Sequence, residues 1–301
     1  MMNQPSNAIE VTHLTRRFRR KNAVDDVTLN VPRGCVFGLL GENGAGKTTL
    51  IKHLLGALKA KSGQVRVLGF DPVGDCVNVL GRIGYLSEDR IMPTWMRVHE
   101  LISFMRAFYP RWDNAFAEEL RDVFRLDPET KVKSLSRGER AKAGLLIALA
   151  HRPELLILDE PSSGLDVIVR RDILAAIMRN VAEEGRTVFF SSHLLDEVER
   201  ACDYIAMMAR GKLILADTLD NIRESHHRIT MRFESTHEAT PHIDGALTCF
   251  GTGRDWTVIC NGERERVIHF AQKAKAAIVD ERAPTLEEIF VARTKAATNA
   301  G

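Results

Sequence analysis

The chain has 301 residues, 42 basic against 40 acidic for a formal charge of +2, with 45% apolar and 27% charged positions. That balance excludes a disordered chain, and so small a basic excess leaves no electrostatic footprint for nucleic acid. The length suits one large domain and a smaller one, and the longest apolar runs, such as Ala143–Ala150, stop far short of the roughly 20 residues a membrane helix needs.

The first residues lack the basic start and apolar stretch of a signal peptide. The five cysteines (Cys35, Cys76, Cys202, Cys249, Cys260) are scattered without CxxC spacing and read as reduced thiols of a cytosolic protein. Ile9–Leu14 and Val24–Val31 read as strands closed by Pro32-Arg33-Gly34. Cys35–Leu40 is a short apolar run that fits a buried strand. It enters a glycine-rich loop, Gly41–Gly46. A helix follows from Lys47 to about Leu58, with Leu50, Ile51, Leu54, Leu55 and Leu58 on one face. Ser62-Gly63 turns the chain into Val65–Val67.

From about 90 to 150 the chain reads as helical: Val98–Tyr109, Asn114–Phe124, and a third helix from near Ser136 to before Pro153. Leu155–Leu158 is another buried strand. A helix (Val169–Glu184), a strand (Thr187–Ser191), a helix (Leu195–Cys202) and a strand (Tyr204–Met208) follow. Strands alternating with helices imply an α/β fold with a mostly parallel sheet. After Thr218 the chain becomes more polar. Arg228–Phe233 and Trp256–Cys260 alternate, Glu263–Ala277 reads as helix, and Pro284 precedes a short helix near Leu286–Ala292. This tail is expected to be a small α/β appendage.

The strongest chemical signal is Gly41-Glu42-Asn43-Gly44-Ala45-Gly46-Lys47-Thr48, a full match to GxxxxGK[ST] between a strand and a helix. Such glycines let a loop curl so that backbone N–H groups face phosphate oxygens. The next helix adds its positive N-terminus, Lys47 a cation for the terminal phosphates, and Thr48 a hydroxyl for Mg²⁺. Asp159 ends a buried strand, where a carboxylate can hold Mg²⁺ through water. Glu160 beside it can accept a proton from an attacking water. Ser136 with Glu139 spells a capping box, and that helix N-terminus also suits an anion.

In this order the motifs resemble the nucleotide-binding subunit of ABC transporters, over about residues 8–218. Gly41–Thr48 resembles Walker A, with Thr49 following, and Leu135–Glu139 the LSGGQ signature. Leu155–Glu160 resembles Walker B with its catalytic glutamate. Ser163–Asp166 resembles the D-loop, His193 the switch histidine, and Phe18 the aromatic that stacks on adenine. The resemblance implies a P-loop ATPase using ATP and Mg²⁺, with a helical subdomain over about 90–150 and a small accessory domain over 219–301. It implies Lys47, Glu160 and His193 as catalytic groups and Thr48, Asp159 and Glu88 at the metal. It also implies a head-to-tail dimer in which Ser136 and Gly138 serve the partner's nucleotide, and it implies Asp166 as a further nucleotide-binding residue.

The implied partners are a separate transmembrane permease and a second copy or paralogue, with no nucleic acid. The implied location is peripheral, on the cytoplasmic face of the inner or plasma membrane. Pro284–Phe290 resembles the closing segment of bacterial drug- and lipid-export ATPases, which favours export. A soluble ABC ATPase acting on ribosomes or nucleic acid, and a regulatory ATPase without transport, stand as alternatives.

Three positions depart from the family pattern: Arg137 replaces a signature glycine, Glu139 the usual glutamine, and Glu88 the glutamine of the Gly84–Glu88 loop. Arg137 and Glu139 are expected on a solvent-facing cap. The basic run Arg16, Arg17, Arg19, Arg20 and Lys21 is expected in solvent, Trp95 and Trp112 in packing, and His53 on the surface or in the core.

Overall fold

The computed structural model describes residues 7–19 and 21–299, so Arg20 of the basic run lies outside the described residues. The chain divides into two compact units, Met1–Leu213 and Ile214–Gly301.

The first unit holds β1 (Asn7–Phe18), β2 (Lys21–Pro32), β3 (Val36–Leu40), β4 (Ser62–Val67), β5 (Ile83–Leu86), β6 (Leu155–Asp159), β7 (Thr187–Ser192) and β8 (Tyr204–Ala209). Strand β9 (Lys212–Thr218) crosses the boundary between the units. Its helices are α1 (Lys47–Leu54), α2 (Cys76–Leu80), α3 (Val98–Arg106), α4 (Asn114–Val123), α5 (Arg137–Leu149), α6 (Val167–Glu184) and α7 (Leu195–Ala201).

β1 pairs antiparallel with β2 and β4. The larger sheet has six strands in the order β5-β6-β7-β3-β8-β9, and the pairs from β5 through β8 are parallel. β8 and β9 are joined by Arg210 and Gly211, at φ 51° and 85°. Two left-handed residues make the tight turn of an antiparallel hairpin. Every residue of β3, β6 and β7 is buried, as continuous apolar runs require when helices cover both faces of a parallel sheet. The carboxyl ends of these strands, Leu40, Asp159 and Ser192, therefore share one edge, where open α/β sheets place their ligands.

Helix α5 is buried from Ala143 to Leu149 and meets β5 at close range. A Cβ on Gly84 would lie 2.1 Å from the Ala148 carbonyl oxygen. Helix α1 stops at Leu54 rather than near Leu58, because Gly56 follows in a left-handed conformation at φ 70°. Trp95 is 72% exposed and does not pack as expected, whereas half-buried Trp112 lies 6.3 Å from the Tyr109 ring. His53 is buried, with Nδ1 2.8 Å from the Thr49 carbonyl oxygen. All five cysteines are free. Among the described residues no helix is long and apolar enough to cross a membrane.

The second unit contains α8 (Leu219–Ser225), β10 (His226–His237), β11 (Ala246–Asn261), α9 (Arg264–Lys273), β12 (Ala277–Arg282) and α10 (Leu286–Asn299). Its strands form an antiparallel sheet in the order β11-β10-β12. Ile229, Met231 and Phe233 alternate onto the same core as Trp256, Val258 and Cys260, with Val267 and Ala271 of α9 packed in. The helix expected over Glu263–Ala277 ends at Lys273, and Ala277 opens β12 instead. Every residue of β12 is exposed, so it carries no alternation to read.

Gly84→Ala is expected to cost about 2 kcal/mol by forcing α5 off β5, lowering the calorimetric unfolding midpoint by about 4–8 °C. An unchanged midpoint would mean that α5 shifts without cost.

Candidate active site

The phosphate-type loop is built by β3 running straight into α1. Gly46 occupies the N-cap of α1 at φ 112°, and a Cβ there would lie 2.2 Å from the Ala23 carbonyl oxygen. Only glycine meets both conditions. No side chain caps this helix. Its first internal bond is Leu50 N–H to the Gly46 carbonyl at 2.9 Å, so the N–H groups of Lys47, Thr48 and Thr49 lie ahead of any intrahelical acceptor. They present a positive backbone end to an anion. The loop is braced from inside by Ala45 N–H to the Glu42 carbonyl at 3.0 Å, and from β8–β9 by Gly211 N–H to the Ala45 carbonyl at 2.9 Å.

Lys47 is 4% exposed. Its Nζ donates to the Gly41 carbonyl at 2.6 Å and lies 2.9 Å from Glu160 Oε1. The other oxygen of Glu160, Oε2, is 2.7 Å from His193 Nδ1. One carboxylate at the end of β6 thus bridges the loop lysine and the histidine that follows β7. Glu160 itself has φ 48°, a left-handed backbone that costs about 1–3 kcal/mol in a non-glycine residue. Its N–H is held by Ser191, through the hydroxyl at 3.1 Å and the carbonyl at 3.2 Å. The same Ser191 hydroxyl donates to Asp159 Oδ1 at 2.6 Å. A single buried hydroxyl therefore holds both the Asp159 carboxylate and the Glu160 backbone, a role that the sequence reading did not assign to Ser191.

Of these groups, Lys47 and Glu160 line a cleft of about 510 Å³. The loop residues Glu42, Asn43, Gly44, Gly46, Lys47, Thr48 and Thr49 form its floor, and Glu88 and Glu160 one wall. Phe18, Lys21 and Ala23 form the other, with the Arg16 guanidinium 4.7 Å above the Phe18 ring. Lys21 belongs to the cleft as well as to the basic run. Gly41 and Ala45 are buried behind the floor, where they serve Lys47 and the loop brace. Asp159 is 2% exposed beneath the wall.

Besides Gly41, Ala45 and Asp159, four expected site residues do not line this cleft: His193, Ser136, Gly138 and Asp166. Ser136 caps α5 with Glu139 in the reciprocal box that the sequence spells, at 3.2 and 2.8 Å, and Gly138 lies in the first turn of that helix, where a Cβ would lie 3.0 Å from Val169. Asp166 caps α6 by accepting from Ile168 and Val169 N–H, both at 3.0 Å. The Val169 N–H bond foremost holds its carboxyl below the usual range. Arg137 does not simply face solvent: a Cβ on Gly164 would lie 2.2 Å from its guanidinium carbon.

Two buried charged groups with no motif of their own complete the surroundings. Arg90 is 5% exposed and donates from one nitrogen to the carbonyls of Pro161 and Ser163, at 2.9 and 3.1 Å. Burial and then Arg137 push its pKa down, while Glu88 acts the other way. Glu197, also buried, accepts from the hydroxyls of Ser162 and Ser192 at 2.6 and 3.3 Å and pairs with Arg170 at 3.2 Å.

A strand–loop–helix that cradles anions, with a buried lysine and two carboxylates at the carboxyl end of a parallel sheet, defines a P-loop ATPase. The family described as ABC transporter matches residues 24–163. The chain is 28% identical over 291 residues to the ABC transporter ATP-binding protein YtrB of Bacillus subtilis (strain 168), covering 95% of this chain and 97% of that protein. It is 33% identical over 225 residues to the bacitracin transport ATP-binding protein BcrA of Bacillus licheniformis, covering 74% of each. A solved structure of the ATP-binding subunit of an ABC transporter superposes with a TM-score of 0.67 at 28% identity, covering 72% of this chain and 92% of that one. The chain belongs to the ABC transporter family, as an ATP-binding subunit that hydrolyses ATP. Subunits of this family dimerise and work with membrane permeases.

Lys47→Ala leaves buried Glu160 with His193 alone, an expected loss of about 3 kcal/mol in urea unfolding. Adding Glu160→Gln should recover much of it, giving a coupling of about 1–3 kcal/mol. Strictly additive losses would show that the pair contributes nothing.

Proposed function

We propose that this subunit powers a separate permease by closing on ATP with a second ATPase subunit, a copy of itself or a paralogue, and reopening after hydrolysis. The observation that carries this reading is the Lys47–Glu160–His193 constellation over the loop, 2.9 and 2.7 Å at its two contacts.

In this reading the triphosphate lies on the N–H groups of Lys47, Thr48 and Thr49. Its oxygens compete with Glu160 for the Lys47 ammonium. The freed carboxylate, still held by His193, accepts a proton from the attacking water. Phe18 stacks on the adenine with Arg16 behind it. The residues present fit Mg²⁺. Among the described residues no group of three or more His, Cys, Asp or Glu gathers into a metal cluster, and Mg²⁺ characteristically relies on phosphates, waters and one or two protein oxygens. Thr48, Asp159 and Glu88 supply such oxygens. When bound, Mg²⁺ would neutralise charge on the phosphate oxygens.

Ser136 and Gly138 at the exposed N-terminus of α5, and Asp166 at the start of α6, are assigned to the partner's nucleotide. Their position away from their own cleft supports that assignment. A second, larger hollow of about 930 Å³ lies between α2 and α3. Val77, Leu80, Phe104 and Phe108 line it, exposed by 82, 44, 43 and 62%. It has no catalytic groups, and we assign it to a permease segment that holds the subunit peripherally at the cytoplasmic face. Export is the favoured direction, supported by the relative named for bacitracin transport. The relatives described above give no support to action on ribosomes or nucleic acid.

Glu160→Gln is expected to lower turnover at least about 100-fold and to elute as a dimer with ATP and Mg²⁺ in size-exclusion chromatography. Near-normal turnover would remove Glu160 from the general-base role. Glu88→Gln should change turnover more than ATP affinity, and equal fractional changes would argue against a role at the metal. Phe108→Asp should abolish co-purification of a polytopic membrane protein from detergent-solubilised membranes while leaving basal ATPase intact. Continued co-purification would put the permease elsewhere.

A further inference from the structure

The turn that carries Glu160 is held from a direction the hydrolysis scheme does not use. Beyond Glu160 the chain folds back on itself, with Ser163 N–H donating to the Glu160 carbonyl at 3.1 Å and Leu165 N–H to the Ser162 carbonyl at 3.1 Å. This tight turn keeps Glu160 at φ 48°. These turn bonds do not use the carbonyls of Pro161 and Ser163, and buried polar groups require partners. Arg90 supplies both bonds, at 2.9 and 3.1 Å, from a side chain only 5% exposed. Arg90 lies two residues beyond Glu88, in the segment that follows β5 and lines the cleft.

We propose that Arg90 is a positioning residue for hydrolysis: it clamps the Pro161–Ser163 turn, keeps Glu160 in its left-handed conformation against Lys47 and His193, and links the Glu88 segment to the hydrolytic carboxylate. The physical reason is geometric. A residue in a sparsely populated backbone region stays there only when its surroundings over-determine it. On its N-terminal side Glu160 is fixed by Ser191 of β7. On its C-terminal side two groups from outside the turn fix it: the Arg90 guanidinium on the carbonyls at 161 and 163, and buried Glu197, which accepts from the Ser162 hydroxyl at 2.6 Å. A shift of the Glu88 segment would therefore reach Glu160 through one side chain, without passing through the phosphate loop. Arg137 adds a second guanidinium to the same turn by packing on Gly164, which gives the family-atypical arginine a place within its own chain. The carbonyls at 161 and 163 are bonded by Arg90.

The proposal rests on Glu160 being the general base, and the test separates the two. Arg90→Met keeps the apolar stem and removes both donors. It is expected to lower kcat about tenfold while KM for ATP stays within twofold, because no cleft contact is lost. Arg90→Lys, which keeps a cation and its donors, should fall between wild type and Arg90→Met, and it carries the same test if the methionine variant does not fold. In single-turnover phosphate release, Arg90→Met should cost less than twofold when Glu160 is already Gln, since groups that act as a unit are not additive. An undiminished kcat, a KM rising in step with the loss of kcat, or the same tenfold cost in the Glu160→Gln background would each overturn the clamp. Normal turnover by Glu160→Gln alone would instead sink the general-base reading. An impaired Glu160→Gln beside an unimpaired Arg90→Met would sink only the clamp.

Discussion

The site depends on placing an ion pair at the edge of an apolar sheet. Lys47 and Glu160 are 4% and 5% exposed and stand at the mouths of strands whose every residue is buried. Two charges in such a place are expensive unless their remaining donors and acceptors are met. The surroundings meet them. The Gly41 carbonyl takes one lysine proton, His193 takes the second glutamate oxygen, and Ser191 holds the glutamate backbone. The parallel sheet makes this possible because its strands end together, bringing β3, β6 and β7 to one line. The antiparallel β1–β2 pair then adds the aromatic wall.

Much of this was legible in the sequence, for stated physical reasons. The loop glycines and Lys47 sit between a buried strand and a helix, and a backbone that must curl around phosphate allows few alternatives. The capping box at Ser136 and Glu139 appears as spelled, because its two bonds are local. Strand β10 is legible because it buries one face at Ile229, Met231 and Phe233, whereas Trp256–Cys260 of β11 is buried at every position. What stayed hidden was non-local or unpatterned. Strand β12 is exposed along its length and has no period. Trp95 looks like a core residue by type but lies in solvent. Ser191, Arg90 and Glu197 act through partners dozens of residues away, and a serine, an arginine or a glutamate alone carries no signature of such a task.

The two cavities described above differ in chemistry. The larger hollow is mainly apolar, with Val77, Leu80, Phe104 and Phe108 in its lining. The smaller cleft is polar, floored by backbone donors and backed by buried charge. Between them run the Glu88 segment and Arg90, which touch the cleft at one end and the Glu160 turn at the other. Two of the three residues that depart from the family pattern, Glu88 and Arg137, lie close to this connection, whereas the Gly41–Thr48 loop follows the pattern without exception.

The hairpin turn at Arg210 and Gly211 has a consequence of its own. Gly211 accepts from Asp25 N–H at 2.8 Å and donates to the Ala45 carbonyl at 2.9 Å, tying the phosphate loop to strands on either side before any anion arrives. A loop stiffened in this way is preorganised, so binding phosphate orders little that was loose. The entropy lost on capture then falls on the opposite wall, where Phe18 is 44% exposed. In the proposed reading, with Phe18 on the adenine, selection among nucleobases falls to that wall rather than to the phosphate loop.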